Sequence, residues 1–102
     1  MKCNIDVRWY CDDMCTTSKL GDYLYNVCIN PALSREEDIV LNFSRVSFVT
    51  SCFLQAAVGQ AYSKYKPEFI KEHLSITGMS QEDMVTLKRV VDGAKLQFKE
   101  RV

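Results

Sequence analysis

Residues 38–62, DIVLNFSRVSFVTSCFLQAAVGQAY, change periodicity in the middle. Asp38-Ile39-Val40-Leu41-Asn42-Phe43 is a short, nearly continuous apolar run of the kind that forms a central strand covered on both faces. Farther on, Phe53, Leu54, Ala57, Val58, Ala61 and Tyr62 recur at helical spacing. The joint, Val49-Thr50-Ser51-Cys52, contains neither glycine nor proline. A strand that turns straight into a helix needs a side chain for the helix's first amides, and Thr50 or Ser51 supplies it. Ala56, Ala57, Gly59 and Ala61 keep this helix thin, so other backbones can approach it closely. Lys66-Pro67 breaks it.

The flanks repeat the alternation. Cys3, Ile5, Val7 and Trp9 alternate with polar neighbours and predict an N-terminal strand near a sheet edge. The segment from Cys11 to Thr17 reads as a polar loop ending in Thr16-Thr17-Ser18, good capping material for a following helix. Leu20, Leu24, Val27 and Cys28 share one side of that helix, and Asn30-Pro31 closes it. Ser34-Arg35-Glu36-Glu37 is a charged connection. Val46 to Val49 packs just before the joint. Phe69 and Ile70 lead into a third strand at about Leu74 to Thr77, ended by Gly78. Ser80 with Asp83 caps a last helix whose apolar positions are Met84, Leu87, Val91, Ala94 and Phe98. Its Lys88, Arg89, Asp92, Lys95 and Lys99 face water. The order strand-helix-strand-helix-strand-helix predicts one small α/β domain over residues 1–102, with a mostly parallel sheet, about three main helices and right-handed crossovers. Functional sites of such sheets lie at the carboxyl ends of the strands, which is where Thr50 and Ser51 fall.

Several function classes lose support. Thirteen basic and thirteen acidic side chains cancel without a run of one sign, so nucleic-acid binding has little electrostatic basis. No apolar run approaches the roughly 20 residues that span a bilayer, and the polar N-terminus is no signal peptide, so the expected location is the cytoplasm. Five cysteines, Cys3, Cys11, Cys15, Cys28 and Cys52, suggest free thiols rather than a disulfide framework. Cys11-x3-Cys15 with a distant Cys3 and the single His73 falls short of a zinc set, and no metal or other cofactor is expected. A redox role for the Cys11–Cys15 pair has as little support.

Catalytic constellations are missing too. There is no G-x-S-x-G elbow, Gly-rich phosphate loop or H-E-x-x-H. An enzyme would have to rest on Cys52, at a helix start, or on His73, and no motif supplies either with a partner. The acidic pairs Asp12-Asp13 and Glu36-Glu37 read as solvated loop charges.

The stretch Ile39-Val40-Leu41-Asn42-Phe43-Ser44-Arg45-Val46-Ser47-Phe48-Val49-Thr50-Ser51-Cys52-Phe53-Leu54 resembles the central motif of the STAS superfamily, the sulphate-transporter and anti-sigma-factor-antagonist domains. It is closest to the STAS-like branch, where Phe commonly follows the serine pair, as Phe53 does here. The resemblance implies a STAS-like fold and a bacterial, non-enzymatic regulatory module. Such modules dock on a histidine-kinase-like (GHKL-type) ATPase, which phosphorylates a serine at this turn. Ser51 matches that serine by position. Thr50 stands where the family has Asp, and Asn42 where it often has Asp, so a negative charge beside the site is missing. On this reading the partner meets Thr50, Ser51, Cys52, Gln55 and Gly59.

Phosphorylation at a helix start would add about −1.5 to −2 charges beside the positive end of the helix dipole and turn a neutral docking surface negative. Two other readings stay open: Ser51 only caps the helix, or the turn senses a small ligand such as a nucleotide or phosphate. A homodimer is also allowed.

Overall fold

The computed structural model describes residues 2–11 and 14–99. In chain order the elements are strand β1 (Lys2–Asp6), helix α1 (Val7–Cys11), strand β2 (Met14–Cys15), helix α2 (Ser18–Leu24), a π-helical turn (Tyr25–Ile29) and helix α3 (Asn30–Ser34). Strand β3 (Asp38–Asn42), strand β4 (Phe48–Val49), helix α4 (Ser51–Ala57) and a 3-10 turn (Gly59–Ser63) follow. Helix α5 (Pro67–His73), strand β5 (Leu74–Thr77) and helix α6 (Gln81–Lys99) complete the chain. The main sheet has the order β1-β3-β5 and is parallel throughout; β2 and β4 form a separate parallel pair. No helix among the described residues is long and apolar enough to cross a membrane.

Register explains the core. Ile5, Leu41 and Ile76 pair across the three strands, and Ile39 pairs with Leu74, so these side chains share the face against the helices. The opposite face carries Asn4, Val40 and Ser75. Val40 is buried, but its neighbours Asn4 and Ser75 are exposed. Strand β3, the centre of the sheet, is thus buried along Ile39, Val40 and Leu41, side chains of both faces, as its continuous apolar run predicts. The core side holds Phe43, Phe53, Leu24, Ile29, Leu33, Ile39, Leu41 and Leu54, each at most 2% exposed. Burying one such side chain contributes about 1.5–3 kcal/mol.

Helices α2 and α4 meet at Gly21. A Cβ there would lie 2.4 Å from the Phe53 carbonyl oxygen and 2.7 Å from the Ala56 Cβ. This is the close approach expected from the small residues of the second helix. Helix α6 lies over α4 and the 3-10 turn, burying Val90 and Ala94.

Four local features depart from the sequence reading. Strand β1 stops at Asp6, whose partner Asn42 ends β3. The Asp6 carboxylate accepts the Arg8 amide at 3.2 Å, and the chain coils into α1, leaving Trp9 81% exposed rather than inside. Asn30-Pro31 does not close the helix. The Asn30 amide bonds five residues back to the Tyr25 carbonyl, and this widened turn lets the chain pass Pro31, whose ring would crowd a regular turn. The same widening turns Val27 outward, to 46% exposed. The helix after the joint is regular only to Ala57 and then tightens. Finally, Pro67 opens α5, which buries Ile70 where only a lead-in to the strand was expected.

In α6 the buried face is Leu87, Val90, Val91 and Ala94, while Met84 is 53% exposed. The side chains of Phe98 and Lys99, and the Asp12-Asp13 pair, lie outside the described residues.

Candidate functional site

The β4–α4 joint is built by Thr50. Its backbone is extended (φ −111°, ψ 162°), and its amide donates to the Cys15 carbonyl at 3.1 Å, carrying the β2–β4 pairing one step beyond Val49. Its hydroxyl accepts the Phe53 amide at 3.3 Å, the N-cap bond that starts α4. The same hydroxyl donates to the Thr16 carbonyl at 3.0 Å. Phe53, so fixed, packs edge-to-face on Phe43 with ring centroids 6.4 Å apart. Thr50 thus serves as both cap and tether.

Ser51 is left over. It is the first residue of α4 and exposed, and among the described residues its hydroxyl makes no hydrogen bond. The capping function that a sequence can assign to either residue falls to Thr50 alone. Cys52 and Gln55 are exposed beside Ser51. Gly59, expected on the same docking face, is buried instead: a Cβ on it would lie 3.5 Å from a Val90 methyl and 3.9 Å from the Ala94 Cβ. It serves the packing of α6 and is closed to a partner.

Ser51 and Gln55 line an open groove of about 440 Å³ together with Val49 and with Thr86, Arg89 and Val90 of α6. Arg89 sets a positive charge in the same groove as the exposed serine hydroxyl. Sequence reading placed Arg89 only on a solvated face. It lies 38 positions beyond Ser51, and nothing local in the sequence signals their meeting. Chemically, the groove offers a hydroxyl that can take a phosphoryl group and a guanidinium able to bind the product through charge-assisted hydrogen bonds.

Asn42 has a different role. Its side-chain oxygen accepts the Ser44 amide at 2.9 Å, turning the chain after β3. Gly78 (φ 77°) lies against the same turn, where a Cβ would be 2.5 Å from the Ser44 nitrogen.

The two candidate nucleophile or base residues stand apart. His73 directly precedes β5, and its Nδ1 lies 2.9 Å from Asp38 Oδ1 at the start of β3, so this pair sits at the amino-end rim of the sheet. Cys52 is on α4, at the opposite rim. Cys11, Cys15 and Cys28 are buried near one another. A hydrogen bond from Cys15 holds the Cys11 thiol below its ordinary range, against the effect of burial, and burial pushes Cys28 up. Among the described residues no three His, Cys, Asp or Glu side chains are placed to hold a metal ion.

No curated protein and no solved structure matches this chain. Residues 21–84 match the profile of the family described as "STAS-like domain of unknown function (DUF4325)". That span runs from the glycine at the α2–α4 contact, through the Thr50–Ser51 joint, to the first turn of α6. The chain belongs to the STAS-like domain family.

Proposed function

We propose that the protein is a non-enzymatic regulatory module of the anti-sigma-factor-antagonist type. It docks on a cytoplasmic partner, a histidine-kinase-like ATPase, through the joint and the exposed side of α4, Ser51, Cys52 and Gln55. Phosphorylation of Ser51 switches the docking off. The observation that carries this reading is the division of labour at the joint: Thr50 caps and tethers, and the neighbouring hydroxyl stands exposed in a groove with Arg89. A serine needed only for structure would be making the bonds that Thr50 makes.

The physical basis of the switch is charge. The exposed surface of α4 is neutral at Ser51, Cys52 and Gln55. A phosphoryl group adds about −1.5 to −2 charges there, and Arg89 lines the same groove to receive it. A partner fitted to the neutral surface would then have to bury an unmatched anion. The test is binding of wild type, Ser51→Ala and Ser51→Asp to a histidine-kinase-like ATPase from the same cell. Ser51→Ala should bind like wild type and Ser51→Asp at least tenfold more weakly. Equal binding by all three would refute the switch.

A further inference from the structure

Ser51, Gln55 and Gly59 follow one another at steps of four and form the stripe of α4 and the 3-10 turn that meets α6. The stripe of α6 that meets it is Thr86, Val90 and Ala94. The two touch at Gly59, where a Cβ would lie 3.5 Å from a Val90 methyl and 3.9 Å from the Ala94 Cβ. Toward the start of α4 the same stripes line the groove: Ser51 and Gln55 from one, Thr86 and Val90 from the other, with Val49 and Arg89. Val90 is buried, which fixes the backbone of its neighbour Arg89 at the groove, while Arg89 itself is exposed.

The polar lining has one character. Ser51, Gln55, Thr86 and Arg89 all carry hydrogen-bond donors, and among the described residues no carboxylate lines the groove, in a chain with thirteen acidic side chains. Among the described residues Arg89 makes no ion pair. Asp92, the carboxylate one turn farther along α6, acts on the Tyr62 phenol instead. Such a set of donors around a guanidinium suits an anion with several acceptor oxygens.

Resting on the reading of Ser51 as a phosphorylation site, we infer that Arg89 is the receptor for its phosphoryl group, so that phosphorylation latches α6 onto the start of α4. Transfer exchanges the Ser51 hydroxyl proton for the γ-phosphoryl group of ATP and releases ADP and the proton. The product carries three acceptor oxygens, and a planar guanidinium can hold two of them at once. The modified chain then binds its own phosphate and needs no second protein to hold it. The surface changes twice in one event: an anion is added at α4, and Arg89 is drawn over Ser51 and away from a docking partner.

The experiment uses the full chain with phosphoserine placed at position 51 during synthesis, so it depends on no kinase and no partner. Phosphorus NMR reads the second ionisation of the phosphate, ordinarily at about pH 6. It should fall by about half a pH unit in the otherwise wild-type chain, the scale of an exposed ion pair, and return to its ordinary value in Arg89→Gln. At pH 8 phosphorylation should raise the urea midpoint of the wild type and leave that of Arg89→Gln unchanged. Arg89 is exposed, so the unphosphorylated Arg89→Gln chain should fold and unfold like wild type. A phosphate that titrates alike with and without the arginine overturns the latch, as does an equal shift of the urea midpoint in the two chains. Either result leaves the docking switch standing, whereas equal binding by Ser51→Asp refutes the switch and leaves the latch in place.

Discussion

The Thr50 hydroxyl donates a 3.0 Å hydrogen bond to the Thr16 carbonyl, 34 positions earlier in the chain. It fastens the start of α4 to the segment that feeds α2, so one side chain sets the entry of both members of the α2–α4 pair. Thr50→Val keeps the shape and removes both hydroxyl bonds. It should cost about 1–2 kcal/mol, the range for a lost N-cap. Ser51→Ala, one residue on, should stay within about 0.5 kcal/mol of wild type. Urea denaturation of the two variants reads this asymmetry directly, and a Ser51→Ala cost equal to that of Thr50→Val would contradict the assignment of the cap.

Gly21 and Gly93 offer a second contrast. Both are helical, so alanine gains roughly 1 kcal/mol of intrinsic propensity at either site. At Gly21 the new methyl would collide with the Phe53 carbonyl and the Ala56 side chain, an overpacking that typically costs about 1–3 kcal/mol. At Gly93 it meets open space. In dilute solution Gly21→Ala should lower the thermal midpoint and Gly93→Ala should raise it.

The parts legible in the sequence were those whose physics is local. The β-branched run of β3, the Gly78 stop after β5 and the Ser80–Asp83 cap each depend on neighbours along the chain. The Asp83 amide does donate to the Ser80 hydroxyl, at 3.2 Å. The parts that were not legible depend on distant partners. Cys3 to Trp9 alternates over its whole length, but a strand lasts only as long as its partner, and β3 ends at Asn42. The Met14–Phe48 and Cys15–Val49 pairs form a ladder too short to leave a periodicity. Pro31 looked like a terminator because the widened turn before it has no sequence signature. At the site, the Thr50–Ser51 joint was legible from the change in period. Which hydroxyl caps was not, because the choice depends on the Thr16 carbonyl, and Arg89 was hidden for the same reason.

Glu36 holds a left-handed backbone (φ 58°) where α3 ends. The Glu36 amide bonds to the Leu33 carbonyl at 3.0 Å and the Glu37 amide to that of Ala32 at 2.9 Å, a Schellman closure that ordinarily uses glycine. A side chain in this conformation costs roughly 1–2 kcal/mol. Glu36→Gly should therefore stabilise the fold by about 1 kcal/mol in urea denaturation, in contrast to most glycine substitutions.

Alkaline pH should weaken the fold. Burial raises the Tyr25 and Tyr62 phenols and the Cys28 thiol, and Tyr10 is raised mainly by its proximity to Cys28. A group raised in the folded state favours folding while protonated. That stability is complete below the unfolded values, 9.0 for the thiol and 10.0 for the phenols, and is lost as pH rises through the higher folded ones. Cys11, lowered by its bond from Cys15, acts in the opposite direction, but it is one group against four. The urea midpoint should therefore fall as pH rises through this range, and a midpoint that rises would show the Cys11 thiolate dominating.

The central claim is that Ser51, and not Thr50, presents its hydroxyl to a kinase partner. Its most direct measurement is mass spectrometry of the protein after incubation with ATP and a histidine-kinase-like ATPase from the same cell. The account predicts one phosphoryl group, mapped by fragmentation to Ser51, lost in Ser51→Ala and retained in Thr50→Val. Transfer to another residue, or no transfer to a protein that binds the ATPase, would contradict it.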